Sequence, residues 1–185
     1  VHRRVVKNLI KAHKAAYYAA KKIRPDLQIS IAKNNIYFEV TNWNPLNYFK
    51  AWISSYWWNR NFLNKTEREL DFIGLNYYMY SQHGKKKLLP VSDMGWDIYP
   101  RGIYHVLLEL GRYKKPIYIT ENGLADEDDS QRKDFIVDHL LQIHKAIEEG
   151  VDVRGYFYWA LLDNYEWAHG FEKRFGLIAV DFVTQ

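Results

Sequence analysis

The stretch KKPIYITENGLADED, residues 114–128, carries a short apolar run that ends on a carboxylate, Glu121, with Asn122 and Gly123 directly after it. Alone, such a glutamate caps the next turn or pairs with a cation at a sheet rim. Its company widens the possibilities. Tyr118 and Thr120 place hydroxyls along the same run, and Asn76 and Tyr78 end a second run, DFIGLNYY, two residues apart and so on one side of a strand. A third run ends at Trp159 and is followed by the polar stretch Asp163 to Trp167. A carboxylate kept ionised and oriented by phenol and amide donors suits a nucleophile for glycoside cleavage. Indoles beside carboxylates suit the sugar itself, whose C–H faces stack on aromatic rings. Trp159 and Trp96 are equally compatible with core packing, and Asp163 with fixing a loop. Metal chemistry has little to draw on: there is no cysteine, the histidines form no HExxH, and His139 and His144 fall on different faces of a helix. No metal and no cofactor is expected.

The elements that must position these groups follow from periodicity. Val5, Val6, Leu9, Ile10, His13, Ala16, Tyr17 and Ala20 have the three-four spacing of an amphipathic helix over residues 1–22, ended by Pro25. Gln28 to Ala32 reads as a first strand with Asn34-Asn35 as its turn, residues 45–66 as helical, and Asp71 to Tyr78 as a second strand. A helix through Ile103, Val106, Leu107 and Leu110 precedes the strand Ile117 to Thr120. A helix from about Gln131 to Glu149, with the stripe Ile136, Leu140, Ile143 and Ile147, precedes the strand Val153 to Trp159. Strands alternating with helices indicate parallel βα units. No glycine-rich phosphate loop follows any strand, which argues against a doubly wound sheet. The polar residues instead collect where strands end, the pattern of an eight-stranded (β/α)8 TIM barrel. Four strands feeding one polar face make half a barrel, and a whole ring takes ~250 residues against the 185 present.

At this point the sequence resembles a known family. ITENG at 119–123, DFIGLNYY at 71–78, MGWDIYP at 94–100 and GYFYWALLDNYEWAHGFEKRFGLIAVDF at 155–182 are similar, in order, to the retaining β-glycosidases of glycoside hydrolase family one. The resemblance implies an α/β fold made of strands five to eight of the barrel with their flanking helices, a single partial domain over 1–185 whose amino-terminal half is absent. It makes Glu121 the nucleophile and Tyr78 the residue that hydrogen-bonds it, with Asn76 beside them. Glu166 and Trp167 bind hydroxyls of the terminal sugar, Trp159 lies beneath it, Phe175 lines the subsite, and Trp96 and Asn35 line the leaving-group side. Where the branch acting on 6-phosphorylated sugars reads S-x6-K-x-Y, this chain has Glu166, Lys173 and Phe175. A carboxylate there repels phosphate and accepts sugar hydroxyls, so unphosphorylated β-glucosides or β-galactosides are the implied substrates.

Retaining hydrolysis takes two carboxyl groups, and the family's acid/base lies in an Asn-Glu-Pro segment that does not occur here. Nothing in the spacing of Glu39 or Asp97 aims either at a leaving group. The chain opens on VHRRVVKNLIKAHK, without Met, a signal-type apolar block or a cap, and reads as cut there. A half-barrel leaves open edges and apolar surface, so a complementary amino-terminal half or self-association is expected. The rival expectation is an inactive carbohydrate-binding or assembly module. Formal charge is +4, with the lysine run Lys85 to Lys87 in a loop and no nucleic-acid motif, so no nucleic-acid partner is expected. Apolar runs are too short to span a bilayer, and the lack of cysteine fits a reducing, cytoplasmic setting.

Overall fold

Pro25 offers no backbone N–H and its ring crowds the preceding turn, so the amphipathic run ahead of it stops there. In the computed structural model, which describes residues 2–184, that run is α1 (His2–Ile23). The chain continues through β1 (Ala32–Asn34), β2 (Tyr37–Val40), α2 (Pro45–Ser55), a π-type turn over Tyr56–Arg60, α3 (Asn61–Thr66), β3 (Ile73–Asn76) and β4 (Tyr80–His83). It ends with α4 (Arg101–Gly111), β5 (Ile117–Asn122), α5 (Arg132–Glu148) and β6 (Val153–Tyr158). Asn44 starts α2 by accepting the N–H of Leu46 at 3.0 Å, and Pro45 takes the first helical position, where no donor is needed.

One sheet has the order β1-β3-β5-β6, every pair parallel, with helices crossing between successive strands. Ile73, Leu75, Ile117 and Ile119 point to one side of it and are buried against Leu63, Ile103, Leu107, Leu110 and Ile143 of the helices. The alternate residues, Gly74, Asn76, Tyr118 and Thr120, therefore face the other way. That second face is left open: Phe157 on β6 is 60% exposed. Among the described residues, β1 and β6 each have one unpaired edge.

The fold departs from the sequence reading in three places. The strand expected over Gln28 to Ala32 pairs only from Ala32 to Asn34. Before that, the Asp71 N–H still donates to the Ile29 carbonyl at 2.8 Å, but the return bond goes to a side chain: the Asp71 carboxylate accepts the Ile29 N–H at 2.8 Å, together with the Tyr17 hydroxyl at 2.9 Å and Lys21 Nζ at 2.8 Å. Second, β2 and β4 form a separate parallel pair beyond the ends of β1 and β3, held by the stack of Tyr80 on Tyr99 at 4.1 Å and by Lys87 on Glu39 at 2.8 Å. Strands of four residues leave too short an alternation to read. Third, α5 buries Arg132, Phe135, His139, Ile143 and Ala146, while Leu140 and Ile147 are 42% and 43% exposed. The helix is turned so that the face carrying Arg132 points inward. No described helix is long and apolar enough to cross a membrane, and no described group of three or more His, Asp or Glu is arranged to hold a metal ion.

His139 lies on the buried face of α5, its Nδ1 bonded to the Phe135 carbonyl at 2.8 Å and its ring 4.0 Å from the Phe135 ring. Burial pushes it down from 6.5 to about 4. As pH falls through that window the unfolded chain takes up a proton that the folded chain refuses, so stability is lost, by up to about 3 kcal/mol. The expected outcome is that urea unfolding of the wild type weakens between about pH 7 and pH 4.5 by more than that of His139→Phe; equal losses in both would contradict it.

Candidate active site

Strict alternation along β5 would send Glu121 to the same side as Ile117 and Ile119, into the apolar layer against the helices. The pairing prevents this. Leu75 pairs with Ile119 and Asn76 with Glu121, so Thr120 is an extra residue, a β-bulge in β5. The bulge returns Glu121 to the open face, where the Tyr78 hydroxyl donates to its Oε2 at 2.9 Å. The Thr120 hydroxyl donates to Asn76 Oδ1 at 2.6 Å, fixing the bulge to the neighbouring strand. Asn122 goes the other way and is fully buried: its Nδ2 donates to the Tyr77 carbonyl at 2.7 Å and its Oδ1 accepts from the Tyr156 hydroxyl at 3.0 Å. Gly123 does not have positive φ. A Cβ there would lie 1.9 Å from the Trp159 carbonyl oxygen, so glycine is required by close approach of two backbones.

The end of β6 brings Trp159, half-buried and joined to Ala160 by a cis peptide, against Gly123, and the following loop carries Glu166. Burial raises the Glu166 carboxyl above its ordinary value; His169 opposes that shift and the Glu121 charge adds to it. Glu166 is thus within the electrostatic reach of Glu121. Burial, followed by the Glu121 charge and hydrogen bond, pushes the Tyr78 phenol far above its usual range, so it stays a donor. Trp96 meets the Tyr78 ring edge-on at 5.7 Å. Trp167 projects from a tight turn closed by Glu166 N–H to the Gly170 carbonyl at 2.6 Å and is 81% exposed.

Two expected site residues lie elsewhere. Phe175 is only 3% exposed, with its carbonyl accepting the Ala160 N–H at 3.1 Å, so it packs behind the loop and offers no surface for a ligand. Asn35 is fully buried because β1 pairs Asn34 with Asn76, which places Asn34 on the open face and its successor on the opposite one. Asn34 is the residue in the layer of Asn76. Asp163 serves the loop: it accepts the N–H of Gly176 at 2.8 Å and Arg174 Nη1 at 3.2 Å. A cavity of about 650 Å³, lined by Asp126, Arg132, Asp163 and Arg174 among others, lies behind that loop and does not include Glu121. It carries ion pairs and backbone bonds already satisfied within the chain.

Sequence reasoning missed Arg132 and Tyr158. The signal for Arg132 was present: a cation at the start of a helix opposes the macrodipole and needs acceptors elsewhere. For Tyr158, one among fifteen tyrosines, there was none.

The sequence profile described as glycosyl hydrolase family 1 matches residues 47–185. A curated β-galactosidase of Sulfolobus acidocaldarius is 36% identical over 215 aligned positions, which take in 96% of this chain and 43% of that protein. The solved structure of a β-glucosidase from Thermotoga maritima in complex with glucoimidazole superposes with a TM-score of 0.86 at 31% identity, covering 96% of this chain and 51% of the other. A β-glycosidase from Pyrococcus horikoshii superposes at 0.85 with 38% identity, covering 97% and 49%. The chain spans about half the length of the curated relatives it matches.

The coupling of the two glutamates is measurable. In Glu121→Gln the negative charge that disfavours ionisation of Glu166 is gone, so the Glu166 carboxyl, followed by carbon-13 NMR, is expected to titrate at lower pH than in the wild type. An unchanged titration would show that the two carboxyl groups do not interact.

Proposed function

The chain belongs to glycosyl hydrolase family 1, and from that premise we propose that it is the nucleophile-bearing portion of a retaining β-glycosidase acting on unphosphorylated β-glucosides or β-galactosides. The observation that carries this is the Glu121 carboxylate held by the Tyr78 hydroxyl at 2.9 Å where parallel strands end. In this reading β1, β3, β5 and β6 are strands five to eight of a (β/α)8 barrel.

The chemistry follows from the geometry. Tyr78 donates to one carboxylate oxygen and orients the other, whose lone pair attacks the anomeric carbon as the glycosidic C–O bond breaks. The leaving oxygen takes a proton from a second carboxyl group, about 5 to 5.5 Å from the first in retaining enzymes. That group then removes a proton from water, which cleaves the glycosyl ester and frees Glu121. Trp159 supplies the face beneath the sugar, Asn34 and Asn76 supply amides, and Glu166 accepts hydroxyl hydrogen bonds. Trp167 and Trp96 extend the aromatic surface to either side.

Glu39 is engaged elsewhere, which argues against it as that second carboxyl: burial raises its carboxyl, but the hydrogen bonds it accepts from Lys87 Nζ at 2.8 Å and from the Tyr80 hydroxyl hold it below the ordinary carboxylate range. The acid/base comes from a complementary amino-terminal half, which pairs with the unpaired edges of β1 and β6. A second copy of this chain covers the same edges but brings no Asn-Glu-Pro carboxyl, which favours the complementary half. The test uses a 2-fluoro β-glycoside with an activated leaving group, which needs no acid for the first step. The chain, alone and mixed with the amino-terminal half of a matched relative, is expected to gain one glycosyl mass on Glu121. No adduct in either arrangement would leave the non-catalytic carbohydrate-binding reading in its place.

A further inference from the structure

Arg132 opens α5 yet is only 6% exposed, and its guanidinium reaches three separate segments of the chain. Nη1 donates to the Leu124 carbonyl at 2.6 Å, to the Tyr158 hydroxyl oxygen at 2.9 Å and to the Phe175 carbonyl at 3.4 Å. Nη2 donates to the Asp126 carbonyl at 2.5 Å and the Arg174 carbonyl at 3.3 Å, and Nε to Asp129 at 2.6 Å. The Tyr158 oxygen also accepts the Leu124 N–H at 3.3 Å. The backbone N–H groups of Gln131 and Arg132 donate to Asp126 Oδ2, both at 2.9 Å, so the loop after Glu121 also caps the helix.

Each segment adjoins a residue of the site. Leu124 and Asp126 lie just past Glu121 and Gly123, Tyr158 immediately precedes Trp159, and Arg174 and Phe175 close the loop that carries Glu166. Gly123 meets the Trp159 carbonyl closely enough to forbid a Cβ. A small rotation of either segment would therefore displace both the carboxylate and the indole. Asp129, the one carboxylate among the partners, is 72% exposed at its side chain, so an ion pair alone would not justify burying the cation.

We propose that Arg132 is the positioning residue of this site: acting through Tyr158 and the carbonyls of residues 124, 126, 174 and 175, it sets Glu121, Trp159 and the Glu166 loop at one spacing. The proposal rests on the retaining-glycosidase reading above. It requires a planar fork of donors, which lysine does not provide.

The test measures inactivation by the activated 2-fluoro glycoside, separating the maximal rate of Glu121 labelling from the half-saturating concentration, in the chain assembled with the complementary half. Tyr158→Phe keeps the ring and its packing while removing the shared oxygen. It is expected to keep the wild-type thermal midpoint and to label about tenfold more slowly, with Arg132→Lys and Arg132→Ala slower by up to about a hundredfold. Millimolar methylguanidinium is expected to restore labelling to Arg132→Ala and to leave the wild type unchanged. Wild-type labelling rates in Tyr158→Phe and Arg132→Lys, or restored stability without restored labelling, would overturn the positioning role. Failure of the wild type itself to label would instead overturn the glycosidase reading and the catalytic purpose given to Arg132. Hydrogen exchange at the Leu124 amide, faster in Arg132→Ala and slowed again by methylguanidinium, reports the placement independently of turnover; an unchanged rate would contradict it.

Discussion

One inserted residue decides on which side of the sheet the Glu121 carboxylate lies. With Thr120 absorbed as a bulge, Glu121 faces Tyr78; without it the same carboxylate would project among Ile117, Ile119 and the helices, where an unpaired charge costs several kcal/mol. The bulge is held from both sides. Thr120 bonds Asn76, the Glu121 carbonyl accepts the Tyr77 N–H at 2.9 Å, and the buried amide of Asn122 bridges Tyr77 and Tyr156. Packing on the helix side therefore fixes a polar group on the open side. The strand is irregular where it carries Glu121 to the open face and regular where it packs against the helices.

The two faces of the sheet differ in completeness. On the helix-facing side Leu75, Ile117, Ile119 and Leu107 are excluded from water, and Arg132 ties together the loops above them. The opposite face exposes Phe157, and two sheet edges are unpaired among the described residues. Apolar surface and free edges of this kind call for a partner layer. The curated relatives it matches run to about twice the length of this chain.

Much of this was legible in the residues. Pro25, the three-four spacing of α1, the capped start of α2 and the apolar runs around Ile73 and Ile117 define elements through local rules, and those elements stand nearly where the rules place them. The segment ITENG marked Glu121. Cross-strand register was not legible. A bulge is set by pairing between strands, so the sequence points to Asn35 while the sheet presents Asn34, and an aromatic such as Phe175 looks like a ligand surface until the loop folds over it. The stripe on α5 was misread by one residue because Arg132, polar by type, counts as core by partnership. The role of Gly123 likewise lies in the approach of Trp159, a neighbour distant in sequence.

In the proposed reading this chain contributes the attacking carboxylate of a double displacement. The most direct measurement assembles it with a complementary amino-terminal half and follows hydrolysis of an aryl β-glucoside by proton NMR from the first turnover. The β-anomer of the free sugar is expected to appear first, with mutarotation to the α-anomer only later, and Glu121→Gln is expected to remove turnover. First release of the α-anomer, or undiminished turnover by Glu121→Gln, would contradict it.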